Sequence, residues 1–436
     1  MAKLITLQES LKLVKNEDYI VAGMAASEGR EFFTHLHEIA NNIDHITVDN
    51  CLPLSKYQFM LDETLSEKFT INSWFFSGDL RKAFKHGNIS FIPNHLNFAG
   101  VRRLEHKTPD LFVGNCTPPD KHGYVSLSLS NVYEKGMIEK AKTVILEINP
   151  KLPRTLGDLE VHESQIDYFV EVDYDIPVLP ETEPNEKDIL IGKHIAELIN
   201  DGDSLQLGIG GIPNAVAAAL HDKKHLGVHT EMLTTGLMKL ALSGAIDNSK
   251  KTLHPGKMVA AFALGTKELY EFMDDNPSIM ILDGHYVNDP CVIGHNDNQV
   301  SINTTIEVDL TGQCCSESIG PVQFSGTGGQ SDTATGAQRS KNGRSFIALY
   351  STANVRNKET GIREEISKIV PFLKPGAGVS LSRNDVDYIV TEYGAVRLRG
   401  TSVKERVELL ISISHPKFKD ELRKRALEIG YIRWAF

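Results

Sequence analysis

A helix, a polar turn closed by aspartate, an apolar strand, a glycine and a second helix occur in that order twice in this chain. The first copy is LKLVKNEDYIVAGMAASEGREFFTHLHEIA near the start, and the second is AELINDGDSLQLGIGGIPNAVAAALHDK past the middle. Setting Asp18 against Asp203 also sets Gly23 against Gly208. One long spacing is not a solenoid period. Either the copies match because all αβ units look alike, or the chain holds two similar α/β domains with a site between them. At 436 residues, two domains are the natural expectation.

Elsewhere strands and helices interleave. ITVDNC, ISFIPN, LFVGNC, TVILEI, YFVEV, SIMILDG, VSLSL and DYIVTEYG read as strands. LSEKFTINSWFF, EKDILIGKHIAELIN, EMLTTGLMKLALSG and VKERVELLISI carry helical periodicity. Interleaving of this kind predicts an α/β fold of two open domains with mostly parallel sheets. IPVLPETEPNEKD, residues 176–188, holds three prolines and three glutamates and reads as the linker. The expected domains are residues 1–180 and 181–436.

A formal net charge of −11 argues against a nucleic-acid surface. The five cysteines (Cys51, Cys116, Cys291, Cys314 and Cys315) form no C-x-x-C pair, so neither a zinc ribbon nor a disulfide framework is expected. Cys314 and Cys315 read as buried and inert. The N-terminus lacks a signal-peptide core, and no apolar run reaches the roughly 18 residues of a membrane span. The expectation is a soluble cytoplasmic protein without membrane contact.

The second glycine turn, SLQLGIGGIPNAVAAAL, invites a nucleotide-binding reading. A dinucleotide fingerprint needs a third glycine where this chain has Pro213, and no P-loop sequence occurs. His35 and His37 lack the second half of a zinc-protease motif, and there is no G-x-S-x-G elbow. What remains is a helix N-terminus whose main-chain N–H groups can hold a phosphate or a developing oxyanion. Gly208, Gly210 and Gly211 would let a ligand approach the chain closely. A tight βα turn with no ligand explains the same residues.

Two further features stand out. EVDLTGQCCSESIGPVQFSGTGGQSDTATGAQ, residues 307–338, is rich in Gly, Ser and Thr. It is either a flexible surface loop or a functional one. In GVHTEMLTTGLMKLALSG, Thr230 reads as an N-cap and Glu231 as a first-turn residue. Glu231 is then either a dipole-compensating glutamate, worth about 0.3–1 kcal/mol, or a carboxylate at a strand end where ligands bind.

Seven segments in order carry a resemblance: TPPDKHGYVSLSLS (117–130), EINPKLPRTLGD (147–158), LGIGGIPNAV (207–216), HTEML (229–233), EVDLTGQ (307–313), SGTGGQSD (325–332) and DYIVTEYGAVRLRGTS (387–402). The chain resembles the acetyl-CoA hydrolase/transferase family, and within it the 4-hydroxybutyrate and butyrate:acetate CoA-transferases. The resemblance implies two similar α/β domains and ping-pong chemistry on Glu231, through a mixed anhydride and a glutamyl-CoA thioester. It implies main-chain oxyanion donors at Ile209 and Gly329. CoA would run along Gly208, Ile209, Gly210, Gly211 and Ile212, with Gly328 and Gly329 beside it. Asn288 would contact substrate or the glutamate. Asn354 stands where relatives often carry lysine for CoA. The partners implied are short-chain acyl-CoA and carboxylate substrates and a second copy in a homodimer. CoA is a co-substrate, and no tightly bound cofactor, metal or ATP is called for.

The remaining segments have plainer readings. Residues 118–123 read as a structural turn. Arg154 and Arg397 are CoA-phosphate candidates or surface arginines. Tyr393 reads as core and Gly394 as turn. Two other functions stay open: an acyl-CoA hydrolase on the same site, and a non-enzymatic CoA-binding subunit resembling the citrate lyase α-subunit.

Overall fold

The computed structural model describes residues 2–356 and 361–433. The fold is built on two eight-stranded sheets. The first contains β1 (Lys3–Leu4), β2 (Tyr19–Ala22), β3 (Ile46–Asn50), β4 (Phe69–Ser73), β5 (Ile89–Phe91), β6 (Leu111–Cys116), β7 (Thr143–Ile148) and β8 (Tyr168–Glu171). The second contains β9 (Ser204–Leu207), β10 (Gly227–Leu233), β11 (Met258–Ala263), β12 (Ile279–Ile281), β13 (Gln299–Thr304), β14 (Arg344–Ala348), β15 (Tyr388–Thr391) and β16 (Gly394–Arg397). Their orders are β1-β8-β7-β6-β2-β3-β4-β5 and β12-β11-β10-β9-β13-β14-β15-β16. Every pairing is parallel except the β15–β16 hairpin. Strands such as Leu111–Cys116 and Met258–Ala263 are buried along their whole length, as parallel strands covered on both faces require.

The sequence repeat is a structural one. β2 lies between β3 and β6 as β9 lies between β10 and β13, and the strands beyond follow in the same succession except at one edge, where β1 stands in the first sheet and β16 in the second. The two aspartates close equivalent turns: Asp18 accepts the N–H of Lys15 and Asp203 that of Asn200, both at 2.7 Å. Tyr19 pairs with Thr47, and Ser204 with Gly227. Four residues along each partner strand stand Cys51 and Glu231, so these two occupy equivalent places in the two halves.

The halves share a core. The largest apolar cluster joins Tyr19, Leu127 and Val132 to Leu205, Phe262 and Ile281. Main-chain hydrogen bonds cross the seam, including Asn131 N–H to Ala261 O at 3.0 Å and Ala263 N–H to Leu129 O at 2.8 Å. Residues 172–185, between the sheets, have no regular structure, and helix Glu186–Ala196 begins inside the stretch read as linker.

Several local expectations are corrected. FTINS, within the stretch read as the helix LSEKFTINSWFF, is strand β4, because Phe69, Ile71 and Ser73 alternate inward against β3. Thr230 and Glu231 belong to strand β10 rather than to a helix start. The helix begins at Thr235, capped by the Thr234 hydroxyl, which accepts from Leu237 N–H. The Gly/Ser/Thr-rich stretch is not loop throughout: residues Gln330–Arg339 are helical. Tyr393 is 42% exposed in the hairpin turn, edge-on to His415, and Gly394 opens β16. Cys314 and Cys315 are fully buried. Among the described residues no helix is long and apolar enough to cross a membrane.

Candidate active site

From β9 the chain runs outward through β10 and β11 to the edge strand β12, then crosses back to β13 on the other side of β9. Parallel sheets open a crevice at such a reversal, beyond the carboxyl ends of the strands. β9 pairs with β10 only at Gly227 and Val228, so the strands part before Glu231. A cavity of about 410 Å³ fills the gap. Its walls come from both halves: Met24, Cys51, Trp74 and Leu96 from the first, Ile209 and Phe324 from the second.

Glu231 is the one charged side chain on this wall among the described residues. Strand alternation explains its direction. His229 and Glu231 point the same way off β10. His229 Nε2 meets Val287 O at 2.8 Å, and Glu231 meets the next residue: Asn288 Nδ2 donates to Oε2 at 2.7 Å. The main-chain N–H of Gly329 donates to the same carboxylate. The side chain keeps an opening to the cavity and is otherwise enclosed by protein. Burial pushes its pKa up to about 7, against the lowering effect of the two hydrogen bonds.

Gly329 is glycine for a steric reason. A Cβ there would lie 1.7 Å from Glu231 Oε2 and 2.2 Å from Asn288 Nδ2. The loop before it threads between the halves: Phe76 N–H donates to Ser325 O at 3.1 Å, and Leu96 N–H to Gly328 O at 3.0 Å. At Gly326 a Cβ would come within 2.2 Å of Trp74 O.

The glycine turn after β9 forms the other wall. Gly208 and Ile209 line the cavity, and the N–H of Ile209 takes no partner among the described residues. Gly210, at φ 111°, caps helix Gly211–Ala219 with no side-chain cap bond, leaving main-chain donors free at the helix start. Gly211 serves packing instead: a Cβ would meet Asp188 Oδ2 at 2.2 Å. Ile212 is buried behind it. The equivalent turn in the first half offers no free donor at its matching position. Met24 corresponds to Ile209, and its N–H is taken by the buried Glu134 Oε1 at 2.8 Å. Cys51 is a neutral thiol, its pKa driven well up by burial and then by the charges of Glu134 and Glu231.

Glu231, Asn288, Gly329, Gly328, Gly208 and Ile209 thus come together, although 121 residues (208 to 329) separate the ends of that set in the sequence. Asn354 does not join them; it is exposed on the hairpin of Thr352–Arg356 with Arg363–Ser367 and lies outside the cavity wall. Arg154 and Arg397 are held in ion pairs with Asp120 (3.1 Å) and Asp387 (2.9 Å), away from the cavity. Sequence reasoning missed the first-half wall and a second buried carboxylate, Asp332, whose pKa burial pushes up to about 7.

The acetyl-CoA hydrolase/transferase N-terminal domain model matches residues 1–180, and the C-terminal domain model matches residues 265–426. The chain is 43% identical to the succinyl-CoA:cyclohexane-1-carboxylate CoA transferase of Geobacter metallireducens, over 97% of this chain and 95% of that one. It is 41% identical to the 4-hydroxybutyrate coenzyme A transferase of Clostridium kluyveri, over 96% of each. The crystal structure of RipA from Yersinia pestis superposes with a TM-score of 0.91 at 35% identity, covering 99% of this chain and 98% of that one.

Proposed function

The chain belongs to the acetyl-CoA hydrolase/transferase family, and from that premise we propose that it moves CoA between a short-chain acyl-CoA and acetate. Its relatives across nearly the whole chain are CoA-transferases, and the enzyme class follows from them. Butyryl- and 4-hydroxybutyryl-CoA are the donors proposed. The observation that carries the reading is Glu231: one carboxylate in a largely apolar cavity, held by two donors and open on the side a thioester would enter.

In this reading Glu231 attacks the acyl-CoA carbonyl. The tetrahedral adduct collapses, the C–S bond breaks, and CoA thiolate leaves an acyl-glutamyl anhydride. The thiolate then attacks Cδ of Glu231 and expels the first acid as a carboxylate. A glutamyl-CoA thioester remains. Acetate attacks that thioester, and the same two displacements run in reverse, giving acetyl-CoA and free Glu231. One thioester replaces another, so no ATP enters.

Each displacement passes through an oxyanion, and removing one donor typically costs about 10²–10³ in rate. The free N–H of Ile209 suits the oxyanion on the substrate carbonyl. The N–H of Gly329, already on the Glu231 carboxylate, suits the oxyanion on Cδ. Asn288 orients the nucleophile. The pantetheine arm would follow Gly208–Ile212 and pass Gly328. Asn354, outside the cavity, could meet only the nucleotide end. The same reading takes residues 1–180 and 181–436 as the domains and a cytoplasmic homodimer as the working form.

The test is butyryl-CoA with isotopically labelled acetate. Transfer predicts labelled acetyl-CoA forming as fast as butyrate appears, and no product from Glu231→Ala. Release of free CoA at the same rate with acetate omitted would replace transfer by hydrolysis.

A further inference from the structure

The proposed cycle brings a carboxylate into the cavity in every turn, yet no cationic side chain lines that cavity among the described residues. Neutral donors are left for the task. Four side-chain amides reach the wall: Asn94 from the first half, and Gln206, Asn303 and Gln330 from the second. Asn303 gives its nitrogen to the hydroxyls of Ser301 at 2.9 Å and Thr333 at 3.1 Å. Gln330 gives its nitrogen to Thr304 O at 2.7 Å. In Gln206 the oxygen is used and the nitrogen is not. Oε1 accepts the Ser301 hydroxyl at 3.0 Å, the main-chain N–H of Ile302 at 3.1 Å and Asn303 Nδ2 at 3.4 Å. Nε2 has no partner among the described residues, although the side chain lines the cavity and the residue is only 4% exposed.

This orientation cannot reverse. A main-chain N–H only donates, so the amide must turn its oxygen to Ile302 and its two N–H groups elsewhere. Donors enclosed without an acceptor cost the folded chain stability unless a ligand takes them. The register places them near Glu231. Ser204 pairs with Gly227, so Gln206 stands level with His229 and, by strand alternation, on the same face as His229 and Glu231. One strand across and two residues along, the backbones of Gln206 and Glu231 lie roughly 8 Å apart. A carboxylate bridges a gap of that order when one oxygen stands about 3–3.5 Å from Cδ and the other accepts an N–H at about 2.9 Å.

We propose that Gln206 Nε2 binds the carboxylate substrate, holding one oxygen of the acid while the other attacks Cδ of Glu231. The inference rests on the reading of Glu231 as the nucleophile, and it gives the acid a neutral anchor in a cavity whose one charge repels it.

Steady-state kinetics of transfer from butyryl-CoA to acetate at pH 8 test it, with the full-length chain. Gln206→Glu keeps an oxygen for Ile302 and replaces the donor. Gln206→Met removes both at similar volume. Each should raise KM for acetate roughly 10- to 100-fold, the scale of a lost hydrogen bond to a charged group, with KM for butyryl-CoA changed less than about threefold. KM for acetate within threefold of the unaltered protein overturns the proposal. So does an equal rise in both KM values, which a merely structural glutamine would give, or a rise for butyryl-CoA alone, which would assign the amide to the acyl or pantetheine arm. Glu231→Ala separates the two ideas: if it still transfers CoA, the nucleophile reading fails while the KM comparison stands. If the protein hydrolyses butyryl-CoA instead, the inhibition constant of acetate is read in place of its KM, with the same expected rise. If neither variant folds, a crystal structure of the unaltered protein with acetate decides: an acetate oxygen must lie within about 3.5 Å of Nε2, and acetate bound elsewhere in the cavity overturns the proposal.

Discussion

Replacing Gly329 by alanine adds one methyl group at the most crowded point of the site. The new Cβ would lie 1.7 Å from Glu231 Oε2, and real Cβ contacts essentially never fall under 3.0 Å. The carboxylate must therefore retreat by at least 3.0 − 1.7 = 1.3 Å. Asn288 Nδ2, at 2.2 Å, must retreat with it. The backbone does not oppose the change, because Gly329 has φ −101°, which alanine adopts freely. The chain should fold while the nucleophile stands out of place. A 1 Å misplacement can cost about 10² in rate, and loss of an oxyanion donor about 10²–10³. We expect kcat for butyryl-CoA:acetate transfer to fall about 10²- to 10³-fold, with KM changed less than about threefold. Gly244→Ala is the control: φ is 82°, no atom lies within 4 Å of its Cβ, and it does not line the cavity. It should lose about 1 kcal/mol of stability and keep its activity. Gly329→Ala with activity within about fivefold of the unaltered protein would refute the steric argument.

Three other outcomes follow from the same geometry. The attacking group must be ionised, and the Glu231 pKa is pushed up to about 7, so kcat/KM should fall about tenfold per pH unit once well below pH 7; a profile flat down to pH 5.5 would contradict this. The folded pKa lies above the ordinary 4.5, so the native state binds the proton more tightly and stability falls as pH rises from about 4.5 to about 7. Glu231→Gln should remove that penalty, stabilising the chain at pH 8 by at most about 3 kcal/mol and little at pH 4, as read by urea denaturation. Gly326→Ala would press on Trp74 O at the seam between the halves and should cost about 1–3 kcal/mol of stability, measured the same way.

The two-domain α/β architecture was legible because its repeat lies in local features: an aspartate-closed turn, an apolar strand and a glycine. Strand order was not, because parallel pairing joins residues far apart in the chain. Glu231 was singled out as a candidate, but on the wrong element. Thr230-Glu231 has the form of a helix start, and only the pairing of β10 with β11 makes it strand. The same capping rule holds four residues later, at Thr234. FTINS was misread for a similar reason: its neighbours complete a helical period, while β3 and β4 pair regardless. The cavity's first-half wall had no motif to announce it. Cys51 emerges only when both registers are known, since it is the counterpart of Glu231. Asp332 carried no signal of its own, because its hydrogen-bond partner, the Asn97 N–H, is distant in sequence.

The central claim is a covalent glutamyl-CoA thioester on Glu231. The most direct measurement is to mix the protein with butyryl-CoA and no acceptor, then digest it and weigh the peptide containing residue 231. The account predicts a CoA adduct on that peptide, replaced by a reduced glutamate after borohydride, and neither in Glu231→Ala. An unmodified peptide from a sample that still consumes butyryl-CoA would contradict it.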